Sequence, residues 1–357
     1  MVPFTTQRSP ATVPNVCVFR IGQLGDTVVA LPAIHRIAQL HPSARMTLIT
    51  NAPSKSSFVT AWDVLRHTGI FGGVLFYDAA RFQDLATLAI ACRQLQPAQL
   101  YYLSPPRTEQ QLWRDYVFFR VVCGFSSIVG LDARPSLGGR DNSGELIVLP
   151  RECDRLLRVV DPSGTSPPYP YLSPPLAAER KLTALLEPLA GRFLVAVGLG
   201  SKMPSKRWFL DRYLAVARRI VAKSSNSALV VFGGREDRED GDKLVNEVGA
   251  DRALNLAGVT DVIESAAGLA RCQFYVGNDT GTMHLAAVMG LPCVAVFTSR
   301  DNRDTWAPWG ESHTILRHDL PCSGCLLERC ELERMRCLDL ITVDDVWAAL
   351  EPRLPAS

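Results

Sequence analysis

Three features are absent or scarce in this chain of 357 residues, and each argues against a class of protein. No run approaches about 18 apolar residues, so no transmembrane helix is expected. The first residues, MVPFTTQRSPATVP, contain no apolar core, so we expect no signal peptide and a cytoplasmic location. The net charge is only +2, whereas nucleic-acid-binding proteins normally present a strongly basic face. We therefore expect no nucleic-acid partner.

Short apolar strands alternate twice with helical patterns, which is typical of α/β folds with parallel sheets. The length also exceeds what one hydrophobic core usually covers. The first series of predicted strands covers 16–20, 45–50, 73–77, 99–103 and 145–149, with helices near 26–40, 54–67, 80–96 and 108–122. The second series of predicted strands covers 193–199, 228–232, 253–257, 273–276 and 292–297, and a last helix is expected near 343–352.

Six prolines between residues 161 and 178 favour a linker, because proline continues neither a helix nor a strand ladder. We predict a Rossmann-like domain over 1–165, a linker over 166–178, a second Rossmann-like domain over 179–340, and a helix and tail over 341–357. Two doubly wound domains that face each other leave a cleft at the carboxyl ends of their strands.

The segment 274–297, FYVGNDTGTMHLAAVMGLPCVAVF, says most about function. Asp279 and Thr280 stand where a strand gives way to a helix, whose free N–H groups and positive dipole end bind anions. Gly281 would let a ligand approach the backbone, and His284 returns to the same face one turn later. These features suggest a nucleotide diphosphate, although a plain helix cap beside an unrelated histidine is an open alternative.

The first predicted strand ends in R-I-G-Q-L-G-D, residues 20–26, which is not a dinucleotide fingerprint. Gly22 and Gly25 lack the third glycine, and Asp26 would repel a pyrophosphate at the helix start. A carboxylate there can take a proton from an acceptor hydroxyl, so Asp26 is the candidate general base. It can equally cap the helix after a turn at Gly25.

Two loops of the second half contain charged residues at strand ends. In G-S-K-M-P-S-K, residues 200–206, Lys206 would counter a phosphate charge, or it is an ordinary solvated lysine. In F-G-G-R-E, residues 232–236, Glu236 would accept hydrogen bonds from ribose hydroxyls, or it belongs to a charged first helical turn.

Two further segments leave alternatives open. Cys322, Cys325, Cys330 and Cys337 form C-x2-C-x4-C-x6-C in a Cys-rich loop over 322–337, which suggests a structural zinc or iron site or else a reduced loop. Residues 107–120 mix arginines with aromatic residues, which would suit an anionic membrane surface, although a helix that packs its aromatics inward is favoured.

Taken in order, these motifs resemble glycosyltransferase family 9, the ADP-heptose:lipopolysaccharide heptosyltransferases. The resemblance covers about residues 15–350, and V-G-N-D-T-G-T-M-H is its most specific part. It implies two domains in the GT-B arrangement, ADP-heptose as donor, inversion at the anomeric carbon and no catalytic metal. It also implies an acceptor in the lipopolysaccharide inner core, reached at the inner face of the cytoplasmic membrane.

The resemblance gives each site residue a role. It makes Asp26 the catalytic base. It implies that Lys206 contacts a donor phosphate, Glu236 the ribose and Asp279 the donor sugar. It assigns the contacts to the diphosphate to Thr280, Gly281 and His284. The Cys-rich loop is similar to those of family members that hold iron. Alternative functions are the same chemistry on another surface glycan or a protein serine, or a GT-B-like sugar-nucleotide epimerase or binding module.

Overall fold

The computed structural model of the chain describes residues 14–52, 59–96, 99–105, 107–131, 139–331 and 334–355. Within these ranges, two parallel sheets flanked by helices follow one another along the chain. The predicted α/β class with two doubly wound halves is confirmed. Among the helices in these ranges, none is long and apolar enough to cross a bilayer.

The first sheet has five strands in the order β3-β2-β1-β4-β5, and every neighbouring pair is parallel. Its strands are β1 Asn15–Phe19, β2 Arg45–Asn51, β3 Phe71–Tyr77, β4 Gln99–Tyr102 and β5 Ser127–Val129. The helices of this half are α1 Leu24–Val28, α2 Leu31–Leu40, α3 Ala61–Leu65, α4 Phe82–Leu95, α5 Glu109–Val117 and α6 Glu152–Val160. A π-helical turn, Phe118–Val122, continues α5.

The second sheet has six strands in the order β11-β10-β9-β6-β7-β8, again all parallel. Its strands are β6 Phe193–Gly198, β7 Ser227–Val231, β8 Ala253–Asn255, β9 Phe274–Asn278, β10 Cys293–Val296 and β11 Thr314–Leu316. The helices of this half are α7 Leu176–Leu186, α8 Leu210–Lys223, α9 Arg238–Val248, α10 Val262–Leu269, α11 Gly281–Val288, α12 Arg336–Asp339 and α13 Val343–Leu350.

The buried central strands explain why the apolar strand pattern could be recognised in the sequence. Every residue of β7, β9 and β10 is buried, as expected for strands covered by helices on both faces. The topology reverses beside β1 in the first sheet and beside β6 in the second, and ligands of doubly wound proteins bind at such positions. One apolar cluster contains buried side chains of both halves and joins them.

The predicted strand at 145–149 is wrong. Leu146 forms a single bridge to Arg140, and Val148 is 94% exposed, so this apolar run does not face a core. The fifth strand is β5, whose three residues are too few to show a periodic pattern. The short edge strand β11 was likewise not predicted.

The predicted helix at 26–40 is two helices. Pro32 lies in the first turn of α2, where its missing N–H is tolerated but cannot bond back to α1. The start of the predicted helix at 54–67 lies outside the described residues, and α3 begins at Ala61. Residues 161–175 contain no helix or strand, and α7 begins at Leu176 inside the proposed linker.

Gly22 allows the turn that leads from β1 into α1. Its φ is +129°, and an added Cβ would lie 2.6 Å from the Cβ of Asp26. The turn that was expected at Gly25 therefore lies three residues earlier. Only glycine combines this backbone conformation with so close a neighbour.

We predict that Gly22→Ala lowers the free energy of unfolding by about 1–3 kcal/mol, because it adds a contact with Asp26 to backbone strain. The matched control is Gly69→Ala, where φ is also positive, at +71°, but no atom lies within 4 Å of the added methyl. Urea unfolding of both variants measures the difference. Equal losses would show that the Asp26 contact does not matter.

Candidate functional site

A cavity of about 1270 Å³ lies between the two halves and is lined by both. The structure brings the predicted base and all six predicted donor-binding residues to its wall: Asp26, Lys206, Glu236, Asp279, Thr280, Gly281 and His284. They follow β1, β6, β7 and β9, at the carboxyl ends of the strands. Parallel topology thus gathers residues that are as far apart in the sequence as Asp26 and His284.

The start of α11 is the predicted anion-binding element. Thr280 is the N-cap residue, with an extended backbone at φ −149°, and its side chain makes no capping hydrogen bond. Thr280, Gly281 and Thr282 all line the cavity. The first N–H groups and the positive end of the helix dipole therefore lie where an anionic ligand would bind.

Lys206 lies in a buried cluster of charges. Its Nζ is 2.6 Å from Asp279 Oδ2 and 3.0 Å from Asp301 Oδ2. Burial alone would lower the pKa of the Lys206 ammonium, but the two carboxylates outweigh that effect and raise the pKa above its ordinary value. Lys206 is therefore a charged residue with two fixed partners, and the solvated-lysine alternative is wrong.

Arg300 completes this cluster. Its Nη1 donates to both carboxylate oxygens of Asp301, at 2.8 and 3.0 Å, and both residues are buried. Two cations and two anions, Lys206, Arg300, Asp279 and Asp301, thus sum to no net charge. Such a balance reduces the large cost of burying unpaired charges.

The segment 326–328 of the Cys-rich loop supports the cluster through its backbone. Arg300 donates to the carbonyls of Leu326 and Leu327, at 2.6 and 2.8 Å. Ser205, the neighbour of Lys206, donates from its hydroxyl to Leu327 O and from its N–H to Glu328 O. The Cys-rich loop therefore fixes the lysine loop without the use of its thiols.

The four cysteines of that loop are the predicted metal ligands. In the described part of the chain, no three His, Cys, Asp or Glu side chains are grouped to hold a metal ion. Cys337 Sγ lies 3.3 Å from Thr298 Oγ1, whereas Cys330 Sγ accepts a hydrogen bond from Met335 N. The described residues therefore show no zinc or iron site at Cys322, Cys325, Cys330 and Cys337.

His284 is buried beside the same cluster. Its Nε2 lies 3.9 Å from Asp279 Oδ1, and its ring meets Trp306 edge-on with centroids 6.4 Å apart. Desolvation, with a smaller contribution from the Lys206 charge, lowers the pKa of His284 to about 3. The imidazole is therefore neutral at physiological pH and has one N–H donor and one acceptor nitrogen.

Glu236 follows the carboxyl end of β7, and its side chain is 37% exposed. Its Oε1 is 2.7 Å from Lys202 Nζ, and this contact lowers the pKa of the Glu236 carboxyl against the effect of burial. The neighbouring Asp237 also lines the cavity and pairs with Arg207 at 3.0 Å. Glu236 is thus an ionised acceptor at the cavity wall.

Asp26 reaches the cavity from the first half. It is the third residue of α1, whose N-cap residue is Gln23, and its Oδ2 accepts the Gln23 N–H at 2.9 Å. The N-cap interpretation of Asp26 is therefore wrong, although the carboxylate does satisfy one free N–H. The buried guanidinium of Arg20 donates to the Asp26 carbonyl and to Leu103 O and holds this turn against the sheet.

Two glycines lie where the halves meet at the site. An added Cβ on Gly25 would lie 3.5 Å from the His284 ring and 3.6 Å from Gly281 Cα. One on Gly281 would lie 2.9 Å from Leu24, so the space above Gly281 accommodates this side chain of the first half. The close contact between α1 and α11 brings Asp26 toward the start of α11.

Sequence reasoning missed three cavity residues, Arg300, Asp301 and Trp306. All follow β10, which pairs with β9, so their strand end is adjacent to that of Asp279. The available signal was T-S-R-D directly after the buried strand 292–297. Residues 107–120 also differ from expectation, because Trp113 is 68% exposed and its aromatic ring does not pack inward.

Comparison with solved structures identifies the architecture. The structure of E. coli ADP-heptose lipopolysaccharide heptosyltransferase II matches with a TM-score of 0.68 over 95% of this chain and 98% of that one, at 17% identity. A family 9 glycosyltransferase from Veillonella parvula matches with a TM-score of 0.71 at 16% identity, over 95% and 97%. The fold is therefore that of the GT-B glycosyltransferases, with two Rossmann-like halves facing across a cleft.

Sequence comparison identifies the family. The profile described as Glycosyltransferase family 9 (heptosyltransferase) matches residues 155–336. Lipooligosaccharide heptosyltransferase 2 of Campylobacter jejuni is 28% identical over 157 residues, which are 42% of this chain and 47% of that protein. The match thus spans about half the length of this curated relative. The chain belongs to glycosyltransferase family 9.

We predict that Lys206→Met destabilises the fold by about 3–5 kcal/mol near neutral pH, because it leaves two buried carboxylates without their shared cation. Burial raises the pKa of the Asp279 carboxyl. A group whose pKa is higher in the folded than in the unfolded state stabilises the fold less as the pH rises. The loss should therefore shrink when the pH is lowered to about 5. Urea titrations at both pH values measure it.

Lys202→Met is the matched control, because the Lys202–Glu236 pair is much more exposed and is worth about 0–1 kcal/mol. The double variant Lys206→Met/Asp301→Asn should regain part of the lost stability. Equal unfolding free energies for Lys206→Met and Lys202→Met would contradict the charge-cluster interpretation.

We also predict that His284 stays neutral from about pH 5 to pH 8, whereas an unperturbed histidine titrates in that range. Imidazole resonances recorded against pH, with His284→Gln to assign the signal, test this directly. A His284 midpoint above about pH 5 would show that the ring is more solvated than its burial indicates.

Proposed function

We propose that this chain transfers heptose from ADP-heptose to a lipopolysaccharide inner-core acceptor with inversion at the anomeric carbon. One observation carries the proposal: a carboxylate of the first half, Asp26, shares a single cavity with the start of α11 and the Lys206 cluster of the second half. Membership of a heptosyltransferase family supports the choice of donor sugar and acceptor class.

The second half would bind the donor. Its diphosphate would lie at the start of α11 and accept hydrogen bonds from the first N–H groups and the Thr280 hydroxyl. Lys206 has three N–H donors, and its two carboxylate partners leave one for a phosphate oxygen. Neutral His284 would donate without attracting a counter-ion, and Glu236 would accept from the ribose hydroxyls.

Glycosyl transfer passes through an oxocarbenium-like state, in which the sugar gains positive and the departing diphosphate negative charge. Asp279, held by Lys206, would accept hydrogen bonds from the sugar hydroxyls. The helix N-terminus, the ammonium and Thr280 would stabilise the leaving diphosphate. Because these groups are fixed beforehand, little reorganisation is needed when the charge develops.

Asp26 would act as the general base. Its position on the first half would let it deprotonate an acceptor hydroxyl that attacks the sugar from the side opposite the diphosphate. Attack from that side inverts the anomeric configuration. The hydrogen bond from Gln23 N–H holds the carboxylate in a fixed orientation.

The acceptor and the cellular location complete the proposal. Inner-core acceptors are glycolipids, so we propose that the enzyme acts in the cytoplasm, at the inner face of the cytoplasmic membrane.

The decisive experiment is mass spectrometry of products formed from ADP-heptose and truncated core acceptors, with NMR of the new linkage. Addition of one heptose with inverted configuration, in the presence of EDTA, is the expected result. Transfer only to another glycan or to a protein serine would contradict the acceptor assignment, and no transfer would contradict the activity.

We predict that Asp26→Asn lowers kcat by about 100-fold or more and leaves the Kd for ADP nearly unchanged, since general bases contribute about this much. The amide oxygen can still accept the Gln23 N–H, so the turn is preserved. Glu236→Gln is the contrasting variant and should weaken ADP binding instead. Rate measurements and calorimetry separate the two effects, and a parallel loss of ADP affinity in Asp26→Asn would rule out the base role.

A further inference from the structure

Helix α5 and the π-helical turn after it present an apolar face to the outside. Trp113, Tyr116, Val117 and Val121 follow each other at helical spacing, and each is between 39% and 68% exposed. The Trp113 and Tyr116 rings meet edge-on, with centroids 5.8 Å apart. Contiguous apolar side chains of this kind on a surface helix indicate an interaction site.

The inner side of the same helix is fully engaged, so the outward face is not a misplaced core. Asp115 is buried and accepts a hydrogen bond from the Tyr102 hydroxyl. Phe119 is buried against Phe19, with ring centroids 5.1 Å apart. The fold thus anchors the helix by its polar and aromatic inner side and leaves Trp113, Tyr116, Val117 and Val121 outside.

Arginines accompany the apolar residues. Arg114 pairs with Asp115 but keeps 64% of its side chain exposed. The exposed Arg120 donates to Phe125 O, and Arg93 of α4 donates to the carbonyls of the π-helical turn, at 2.8 and 3.0 Å. The carboxylate of Asp115 is buried beneath them. The exposed surface therefore combines positive charge with aromatic and aliphatic groups.

We propose that this surface, the α5 face, docks on an anionic lipid bilayer. We define it as Trp113, Tyr116, Val117 and Val121 together with Arg93, Arg114 and Arg120. Tryptophan and tyrosine favour the level of the lipid headgroups, valines enter the acyl boundary, and arginines attract anionic headgroups. The α5 face would be the surface by which the protein reaches the membrane location of the proposed function. This inference rests on the proposed function only for the reason why the protein docks.

The α5 face is connected to the reaction site through the sheet. Helix α5 follows β4, which pairs in parallel with β1, so the loops after both strands emerge at one edge. The Arg20 guanidinium bridges these loops, because it donates to Leu103 O at 2.7 Å and to Asp26 O. Docking by α5 would therefore hold the base-carrying wall of the cleft beside the bilayer, where a glycolipid acceptor is anchored.

Flotation of the full chain with lipid vesicles tests the proposal. Vesicles that contain phosphatidylglycerol should bind the protein, vesicles of phosphatidylcholine alone should bind it weakly, and high salt should reduce binding. Trp113→Ser/Val121→Ser should lower binding to the anionic vesicles by about tenfold or more, since it removes two apolar anchors. Leu176→Ser is the matched control, because Leu176 is 59% exposed on α7 of the other half.

Calorimetry with ADP checks that the variants retain an intact site, and light scattering reports the oligomeric state. Vesicle binding needs neither donor nor acceptor, so its result is independent of whether heptose transfer is observed. Equal binding by the wild type and the double variant, or no preference for anionic vesicles, would overturn the proposal. A wild-type dimer that becomes monomeric in the double variant would also overturn it, because the α5 face would then be a contact between copies of the chain.

Discussion

The pairing of the Lys206 ammonium with the carboxylates of Asp279 and Asp301 is the interaction on which the site depends. Burying one charge without compensation costs several kcal/mol, so the cluster is stable only with its members in place. They come from the loop after β6 and the ends of β9 and β10, so their pairing fixes three segments of the second half. Arg300 then neutralises the second carboxylate and extends the order to segment 326–328.

The neutrality of this cluster constrains how a diphosphate can be recognised. A site with a surplus of lysines would attract any anion, whereas here each buried cation already has a carboxylate partner. With His284 neutral as well, attraction depends on directed N–H and O–H donors at the start of α11. Such donors act at defined positions, so they favour a ligand whose oxygens match their geometry over simple counter-ions.

The sequence predicted what depends on local pattern and missed what depends on tertiary pairing. Buried strands such as β7 and β9 read as continuous apolar runs, and the strand end before α11 carried a recognisable motif. The role of Asp301 could not be predicted, because it arises only where β10 lies beside β9. The spacing of Cys322 to Cys337 suggested a metal site, but the described residues show no group of metal ligands there, and the backbone of 326–328 instead accepts hydrogen bonds from Ser205 and Arg300. Trp113 shows the same limit, because amphipathic spacing does not say which side of a helix faces the core.

The contact between α1 and α11 has a glycine on each side of the cleft, Gly25 and Gly281. An added Cβ on Gly281 would lie 2.9 Å from Leu24 and would have to displace that side chain, whereas one on Gly25 would stay at ordinary contact distance from the His284 ring and Gly281. Any separation of the halves would move Asp26 away from the start of α11, whereas the charge cluster would remain intact, because all of its members belong to the second half. Donor affinity and base position are therefore controlled by different parts of the fold. The second half alone contains the groups proposed for donor binding, and the distance between the halves determines where Asp26 meets the acceptor.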